Sequence, residues 1–171
     1  RSRDLTAFYT DSGVLPRTVL LGLIPSNSFP NFHLSVGTFS GEALLFVLAG
    51  LFALAFTVGY RTQWAGALTW FFVCSLQTRN PYVLDVGDQE MRVILFWCLF
   101  MPMGARWSWD ARQNPEWKKL PQDYFSLASF CYVLQMSIVY LMACALKTDP
   151  VWRSSGDALF YVFSIDQFST T

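Results

Sequence analysis

The chain has 171 residues, of which 53% are hydrophobic, 18% aromatic and only 14% charged. Soluble domains usually carry more charge and fewer apolar residues, so this composition indicates a membrane protein. The 12 Lys and Arg residues cancel the 12 Asp and Glu residues, which excludes a nucleic-acid surface because such surfaces need clustered excess basic charge. We therefore expect the partners to be membrane lipids and other membrane-protein subunits.

The sequence offers few residues for metal or thiol chemistry. Four cysteines lie inside apolar runs without a CxxC spacing, as small core residues do: Cys74, Cys98, Cys131 and Cys144. The single histidine, His33, excludes a metal site that needs two imidazole ligands, and no GxSxG motif accompanies it. We interpret His33 as an interfacial loop residue and expect no metal site.

Residues 1–40 mix charged and aromatic residues, as in RDLTAFYTDSGVLPR, with the turn formers of LIPSNSFPNF. Pro25, Pro30 and the Ser and Asn residues between them prevent one long helix. We predict a short amphipathic or irregular segment that lies at the membrane face and does not span it.

Four apolar segments follow, and each approaches the roughly 20 residues that a helix needs to cross a hydrocarbon core. The predicted spans are 42–60, 61–78, 88–104 and 124–146. Residues 157–168 alternate apolar with polar positions, which predicts an interfacial or truncated helix. The predicted fold is all-α, a polytopic transmembrane bundle of about four spans that forms one domain over residues 1–171. We expect it to be an interior piece of a longer polytopic protein.

The basic residues near the spans set the expected orientation. Arg61 and the loop 105–123 contribute five basic residues on one side, against four on the other side. Cytoplasmic loops carry the excess of Lys and Arg, so we expect the loop 105–123 to face the cytoplasm. The protein is then a multi-pass membrane protein.

The stretch RNPYVLDVGDQEMR, residues 79–92, places five charges between two apolar runs. If a helix begins near Asp88, Arg92 lies one turn further along the same face, where the two can pair. One interpretation is an interfacial loop with a capped helix, in which Gly87 and Asp88 start the helix. The other is the wall of a polar cavity, because charges at this depth persist mainly where they pair or face such a cavity.

Lys147 ends the fourth predicted span, two residues before Asp149. A lysine at such a position commonly extends to the lipid headgroups. Alternatively, neighbouring helices shield it from water, in which case it loses its proton more readily and can act as a base. Asp149 opposes this second interpretation, because a nearby carboxylate favours the charged ammonium.

The strings RDLTAFYTDSGVLPR, GYRT, RNP, GD and GARWSWD, in this order, resemble bacterial horizontally transferred transmembrane (HTTM) domain proteins. These are related to the vitamin K-dependent gamma-carboxylases, and the resemblance runs over almost the whole chain. In the carboxylases, a lysine followed by an aspartate and a tryptophan carries the base proposed to deprotonate vitamin K hydroquinone. ALKTDPVW matches that pattern at Lys147, Asp149 and Trp152. Gly87 and Asp88 stand where the carboxylases have an asparagine and a histidine.

The resemblance implies an all-helical polytopic domain of the bacterial inner membrane and leaves two functions open. We favour a non-catalytic accessory subunit that packs in a larger membrane complex, since seven Trp and 16 Phe residues suit lipid or partner surfaces. The alternative is a gamma-carboxylase-like membrane enzyme that acts on a quinone or lipid. Lys147 would be its base, and Asp88, Glu90, Arg92, Asp149 and Trp152 would line its pocket. The cofactor is unknown, and a quinone or lipid is implied only by the resemblance.

Overall fold

The computed structural model describes residues 4–23, 31–114, 116 and 124–164. Within these ranges the chain is helical and contains no strand, which confirms the predicted all-α class. The helices are α1 (Leu5–Tyr9), α2 (Arg17–Leu23), α3 (Phe32–Ser35), α4 (Phe39–Val58), α5 (Thr62–Arg79), α6 (Val86–Cys98), α7 (Trp109–Gln113), α8 (Leu127–Leu146), α9 (Pro150–Arg153) and α10 (Ala158–Ser164). A short 3-10 turn, Pro81–Val83, joins α5 to α6.

The chain divides into two compact units, residues 1–129 and 130–171. In the first unit, α5 is central and packs against α3, α4 and α6, while α1 packs against α4. The second unit contains most of α8, followed by the short helices α9 and α10. Of the predicted helix 157–168, the structure describes α10, and residues 165–168 lie outside the described residues.

Two helices of the described chain, rather than about four, are long and apolar enough to cross a membrane: α4 and α8, each of 20 residues. They match two of the predicted spans, 42–60 and 124–146. The 18 residues of α5 include several polar ones, and α6 has only 13 residues, or about 20 Å of helix. Spans at α5 and α6 therefore stay a prediction.

Both apolar helices present their side chains to the outside of the chain. On α4, Leu54 is 63% exposed, and Glu42 is the residue that is buried. On α8, none of the residues is buried, and Leu146 is 77% exposed. A helix in the core of a soluble protein has the opposite arrangement, with its apolar face buried. The fold leaves two long apolar surfaces uncovered.

The apolar core of the first unit lies along α5. Phe72 is buried, and its ring stacks on that of Phe52 from α4 with a centroid distance of 5.7 Å. Gly66 allows α4 and α5 to approach, because a Cβ at this position would lie 2.9 Å from the ring of Phe56. The same helix buries polar side chains: Thr62, Thr69, Ser75, Gln77 and Arg79. Its polar positions therefore lower its mean hydropathy while facing the interior.

The turn between α4 and α5 is tied to the start of α7 by one carboxylate. Asp110 accepts hydrogen bonds from the backbone N–H of Arg61 at 2.9 Å and from the backbone N–H of Thr62 at 2.7 Å. The Thr62 hydroxyl donates a third at 2.8 Å, and the Asp110 N–H donates to the Gly59 carbonyl at 3.0 Å. We call these four residues the Asp110 lock. It holds the turn after α4 beside the chain that leaves α6.

The lock also fixes the charge of its carboxylate. Burial alone would raise the pKa of Asp110, but the hydrogen bonds from Thr62 and Arg61 stabilise the carboxylate and outweigh it. The pKa of Asp110 therefore lies below its ordinary value. The carboxylate oxygens of Asp110 are occupied by hydrogen bonds from two backbone N–H groups and one hydroxyl of the Asp110 lock.

Candidate functional site: a buried polar cluster

A histidine and a glutamate meet inside the first unit, where α3 and α4 begin. Asn31 caps α3 by accepting a hydrogen bond from the Leu34 N–H at 3.0 Å, and this short helix carries His33 inward. Nδ1 of His33 lies 2.6 Å from Oε2 of Glu42, in the first turn of α4. The side chains are 1% and 0% exposed. A buried carboxylate thus orients a buried imidazole.

An arginine closes the same region from the end of α5. Arg79 is fully buried, and one of its terminal nitrogens donates to the Leu15 carbonyl at 2.9 Å. Its other terminal nitrogen lies 3.7 Å from an Asp11 carboxylate oxygen. Asp11 in turn binds Arg17, whose Nε donates to it at 2.8 Å. The end of α5 is therefore linked through charge to the amino-terminal segment.

Ser75 lies one turn before Arg79 on α5 and binds the α3 side of this region. Its hydroxyl donates to Asn31 Oδ1 at 2.6 Å, and the His33 N–H donates to the Ser75 oxygen at 3.2 Å. We call Asp11, His33, Glu42, Ser75 and Arg79 the polar cluster. It lies at the end of the unit where α4 begins and α5 ends, whereas the Asp110 lock lies where α4 ends and α5 begins.

Several buried atoms of the polar cluster have no hydrogen-bond partner among the described residues. They are Nε2 of His33, Oε1 of Glu42, and Nε and one terminal nitrogen of Arg79. An imidazole oriented by a carboxylate exchanges protons through its other nitrogen, and a guanidinium stabilises an anion. The polar cluster thus contains an imidazole oriented by a carboxylate and, at the end of α5, a buried guanidinium.

No group of three or more His, Cys, Asp or Glu side chains that could hold a metal ion occurs among the described residues. His33 and Glu42 supply two such donors.

The ion pair of Asp11 with Arg17 should make the stability of the first unit depend on pH in the acidic range. The side-chain hydrogen bond from Arg17 holds the pKa of Asp11 below its ordinary value of about 3.9. A lowered pKa contributes stability above the ordinary value, and this contribution is lost as the pH falls through the lowered value. We expect the midpoint temperature of thermal unfolding in detergent to fall when the pH is lowered below about 4. The fall should correspond to less than about 1 kcal/mol of unfolding free energy, because the pair is partly exposed.

Thermal unfolding of the wild type and the Asp11→Asn variant at pH 6 and pH 3 checks this expectation. The variant should be less stable at pH 6 and should lose less on acidification. An equal loss in both proteins would show that Asp11 does not carry the effect.

The predicted residues of the 79–92 stretch lie at the start of α6. Asp85, rather than Gly87 or Asp88, caps the helix: its carboxylate accepts from the Asp88 N–H at 2.9 Å. Asp88 completes a capping box by accepting from the Asp85 N–H at 3.1 Å. Glu90 and Arg92 follow on α6 and are both partly buried. The helix begins at Val86, two residues before the predicted start at 88, because the acid at position 85 takes the capping role.

The remaining residues of the predicted pocket, Lys147, Asp149 and Trp152, all lie in the second unit. Lys147 follows α8 and is exposed, and its Nζ lies 4.2 Å from the centre of the Trp152 ring. Asp149 caps α9 by accepting from the Val151 N–H at 2.9 Å. Lys147, Asp149 and Trp152 therefore come together in one turn, as a cation–π pair beside a helix cap. The roles of Lys147 as a base and of Arg92 beside it stay predictions.

The interpretation of His33 as an interfacial loop residue was wrong. His33 lies in α3 and is 1% exposed, because the imidazole finds a buried carboxylate nine residues further along the chain. The signal in the sequence was Glu42, an acid at the start of an otherwise apolar helix. Such an acid needs a buried partner, and the single histidine was one candidate for it. Pro25 and Pro30 lie outside the described residues.

No protein-family model matches the chain, and neither a curated protein nor a solved structure matches it. The relationship to HTTM proteins therefore stays a prediction that depends on the order of the quoted strings. Two of these strings, GYRT and GARWSWD, supply the four residues of the Asp110 lock.

Proposed function

We propose that this chain is an integral membrane, HTTM-like protein that serves as a non-catalytic accessory subunit of a larger membrane complex. The observation that carries the proposal is the exposure of α4 and α8. Each helix has 20 residues, or about 30 Å, which matches the thickness of a hydrocarbon core. Only 6% of the apolar stretch of α4 and 0% of that of α8 is buried within the chain.

An apolar surface of this length is unfavourable in water. Leaving a large aliphatic side chain exposed costs roughly 1.5–3 kcal/mol relative to burying it. On α8 alone the exposed side chains include Val133, Ile138, Leu141 and Leu146. Lipid tails or the helices of a partner subunit remove this cost.

The distribution of polar groups supports the same proposal. Arg79, Glu42 and His33 are buried inside the first unit, while apolar residues cover its outside. Ionisable side chains of membrane helices face the interior, where they pair with one another. The first unit therefore has its polar groups where a bilayer requires them.

We further propose that α5 and the chain from α6 to residue 104 also cross, which gives about four spans. The polar cluster and the Asp110 lock support alternating helices, because they tie together opposite ends of α4 and α5. The exposed Arg61, Arg106 and Arg112 lie on the side of the lock. This favours a cytoplasmic position for the loop 105–123 in a bacterial inner membrane. Residues 115 and 117–123 of that loop lie outside the described residues.

A gamma-carboxylase-like enzyme acting on a quinone or lipid is the second candidate. The observation that favours it is the polar cluster, in which His33 is oriented by Glu42 and lies in the same buried region as Arg79. Such a set can take a proton from an acidic hydroxyl and stabilise the resulting anion. The exposed position of Lys147 makes His33 the stronger candidate for the base.

Extraction and gentle purification test both candidates. The chain should stay in the membrane pellet after an alkaline carbonate wash that releases a peripheral control protein. After mild solubilisation, further membrane subunits should co-purify at a fixed stoichiometry. An isolated stable monomer that retains a quinone would favour the enzyme instead. Release of the chain by carbonate alone would contradict both candidates.

A further inference from the structure

The exposed tryptophans of the first unit lie together at one end of it. Two tryptophans inside α5 and α6, Trp70 and Trp97, are partly buried. Three others are exposed and lie beside the Asp110 lock: Trp64 at 73%, Trp107 at 102% and Trp109 at 47%. Among the described tryptophans of this unit, the exposed rings therefore occur at the end where α4 ends and α5 begins.

Trp107 is directed outward by an unusual backbone conformation. Its φ is 56°, in the left-handed region that a bulky residue rarely adopts. The Ser108 hydroxyl donates to the Gly104 carbonyl and accepts from the Ala111 N–H at 2.9 Å, which closes the loop that carries Trp107. Such a conformation costs free energy and persists where other contacts compensate for it. A ring that is 102% exposed makes no packing contact within the described chain that could do so.

The charges around these rings nearly cancel. Residues 59–64 and 104–116 contain three arginines, Arg61, Arg106 and Arg112, and two acids, Asp110 and Glu116. Arg106 and Glu116 each have an interaction partner, and Asp110 is engaged in the Asp110 lock. The small charge excess gives this surface little preference for anionic over neutral lipids. Its distinguishing feature is the group of exposed indole rings.

The position of the rings matches the boundary of a bilayer. α4 is an apolar helix of 20 residues, about 30 Å long, and it ends at Val58. If α4 crosses the hydrocarbon core, the residues that follow it lie at the level of the lipid headgroups. The Asp110 N–H donates to the Gly59 carbonyl at 3.0 Å, which holds the neighbouring Trp109 at the same level. Tryptophan concentrates there because its ring is apolar and its N–H is polar.

We propose that Trp64, Trp107 and Trp109 anchor this end of the first unit in the interface of a lipid bilayer. The ring of Trp107 lies between the headgroups and the first part of the acyl chains. This inference rests on the proposed membrane function. The partner is the lipid surface itself, charged or neutral, because the contact is made by indole rings. The left-handed backbone of Trp107 directs its ring away from the protein and into this contact.

Fluorescence quenching in vesicles of neutral phosphatidylcholine tests the proposal. The difference in emission between the wild type and a Trp107→Phe variant isolates the signal of Trp107. Bromine atoms near the start of the acyl chains should quench this signal at least about two-fold more than bromine atoms near the chain ends, because the ring lies near the headgroups. Aqueous acrylamide should quench it less than it quenches N-acetyltryptophanamide. Adding phosphatidylglycerol should leave both results unchanged.

A Trp107→Gly variant separates anchoring from folding. Glycine adopts a φ of 56° without a steric cost, and the ring that is removed is exposed. The midpoint of denaturant unfolding in detergent should therefore stay close to that of the wild type. A fall as large as that expected for Gly59→Ala would show that the ring packs within the chain, and would overturn the proposal.

The quenching results can also overturn the proposal. Acrylamide quenching as strong as that of N-acetyltryptophanamide would place the Trp107 ring in water. Protection from both acrylamide and brominated lipid would show that protein covers the ring. Stronger quenching by the deep bromine atoms would place it in the hydrocarbon core. In these cases the proposed membrane function stands, provided that the chain stays in the vesicles after a carbonate wash. A chain that carbonate releases would overturn that function and this proposal together.

Discussion

Replacing Glu42 with alanine should lower the free energy of unfolding by about 3 to 5 kcal/mol. The substitution leaves Nδ1 of His33 without its 2.6 Å partner in a region where neither side chain reaches solvent. The Glu42 carboxylate also attracts the buried Arg79 guanidinium, so its removal leaves that cation less compensated. Denaturant titration in detergent, followed by tryptophan fluorescence, measures the change.

Two further variants separate charge from shape at this position. Glu42→Gln keeps the volume and one polar contact to His33, and we expect a smaller loss than with alanine. The His33→Phe/Glu42→Leu double variant removes both polar groups and should lose less than Glu42→Ala, because apolar replacements relieve the desolvation cost. A Glu42→Ala protein within about 1 kcal/mol of the wild type would show that the pair is not a structural element.

Gly59→Ala should destabilise the first unit by about 3 kcal/mol or more. Gly59 adopts a φ of 74°, which costs an L-residue about 1–2 kcal/mol. In addition, an added Cβ would overlap the Cβ of Ser108 and lie 3.0 Å from its Cα. The backbone of the Asp110 lock must therefore move, and its hydrogen bonds weaken.

Gly50 provides a matched control on the same helix. A Cβ added at Gly50 meets nothing within 4 Å, and the residue lies inside α4. Gly50→Ala should therefore be neutral or stabilise the helix by up to about 1 kcal/mol. If Gly59→Ala unfolded at the same denaturant concentration as Gly50→Ala, that result would contradict the close contact between position 59 and Ser108.

The long apolar helices were predictable because length and composition determine them. The helix predicted at 42–60 is observed at Phe39–Val58, and the helix predicted at 124–146 is observed at Leu127–Leu146. The segment predicted at 88–104 ends as a helix at Cys98 although its apolar residues continue. Hydrophobicity alone does not mark this end, because the following turn through Pro102 is as apolar as the helix.

The polar cluster was not predictable in the same way. Arg79 contacts the Leu15 carbonyl 64 residues earlier, and no local pattern in the sequence encodes that pairing. His33 and Glu42 are closer, but their contact depends on the turn between α3 and α4. Sequence patterns locate helices through periodicity and length, whereas contacts between distant side chains require the packed arrangement. The sequence patterns pointed to Asp88, Arg92 and Lys147 and therefore did not predict the buried charges of the polar cluster.

The contacts of the amino-terminal segment set an order of events during biosynthesis. Leu15 and Phe8 are translated well before their partners, Arg79 and Asn80, which follow 64 and 72 residues later. These two contacts cannot form until α5 has been synthesised, although α1 can already pack against α4. The docking of the amino-terminal segment is therefore completed only after the end of α5 has been synthesised.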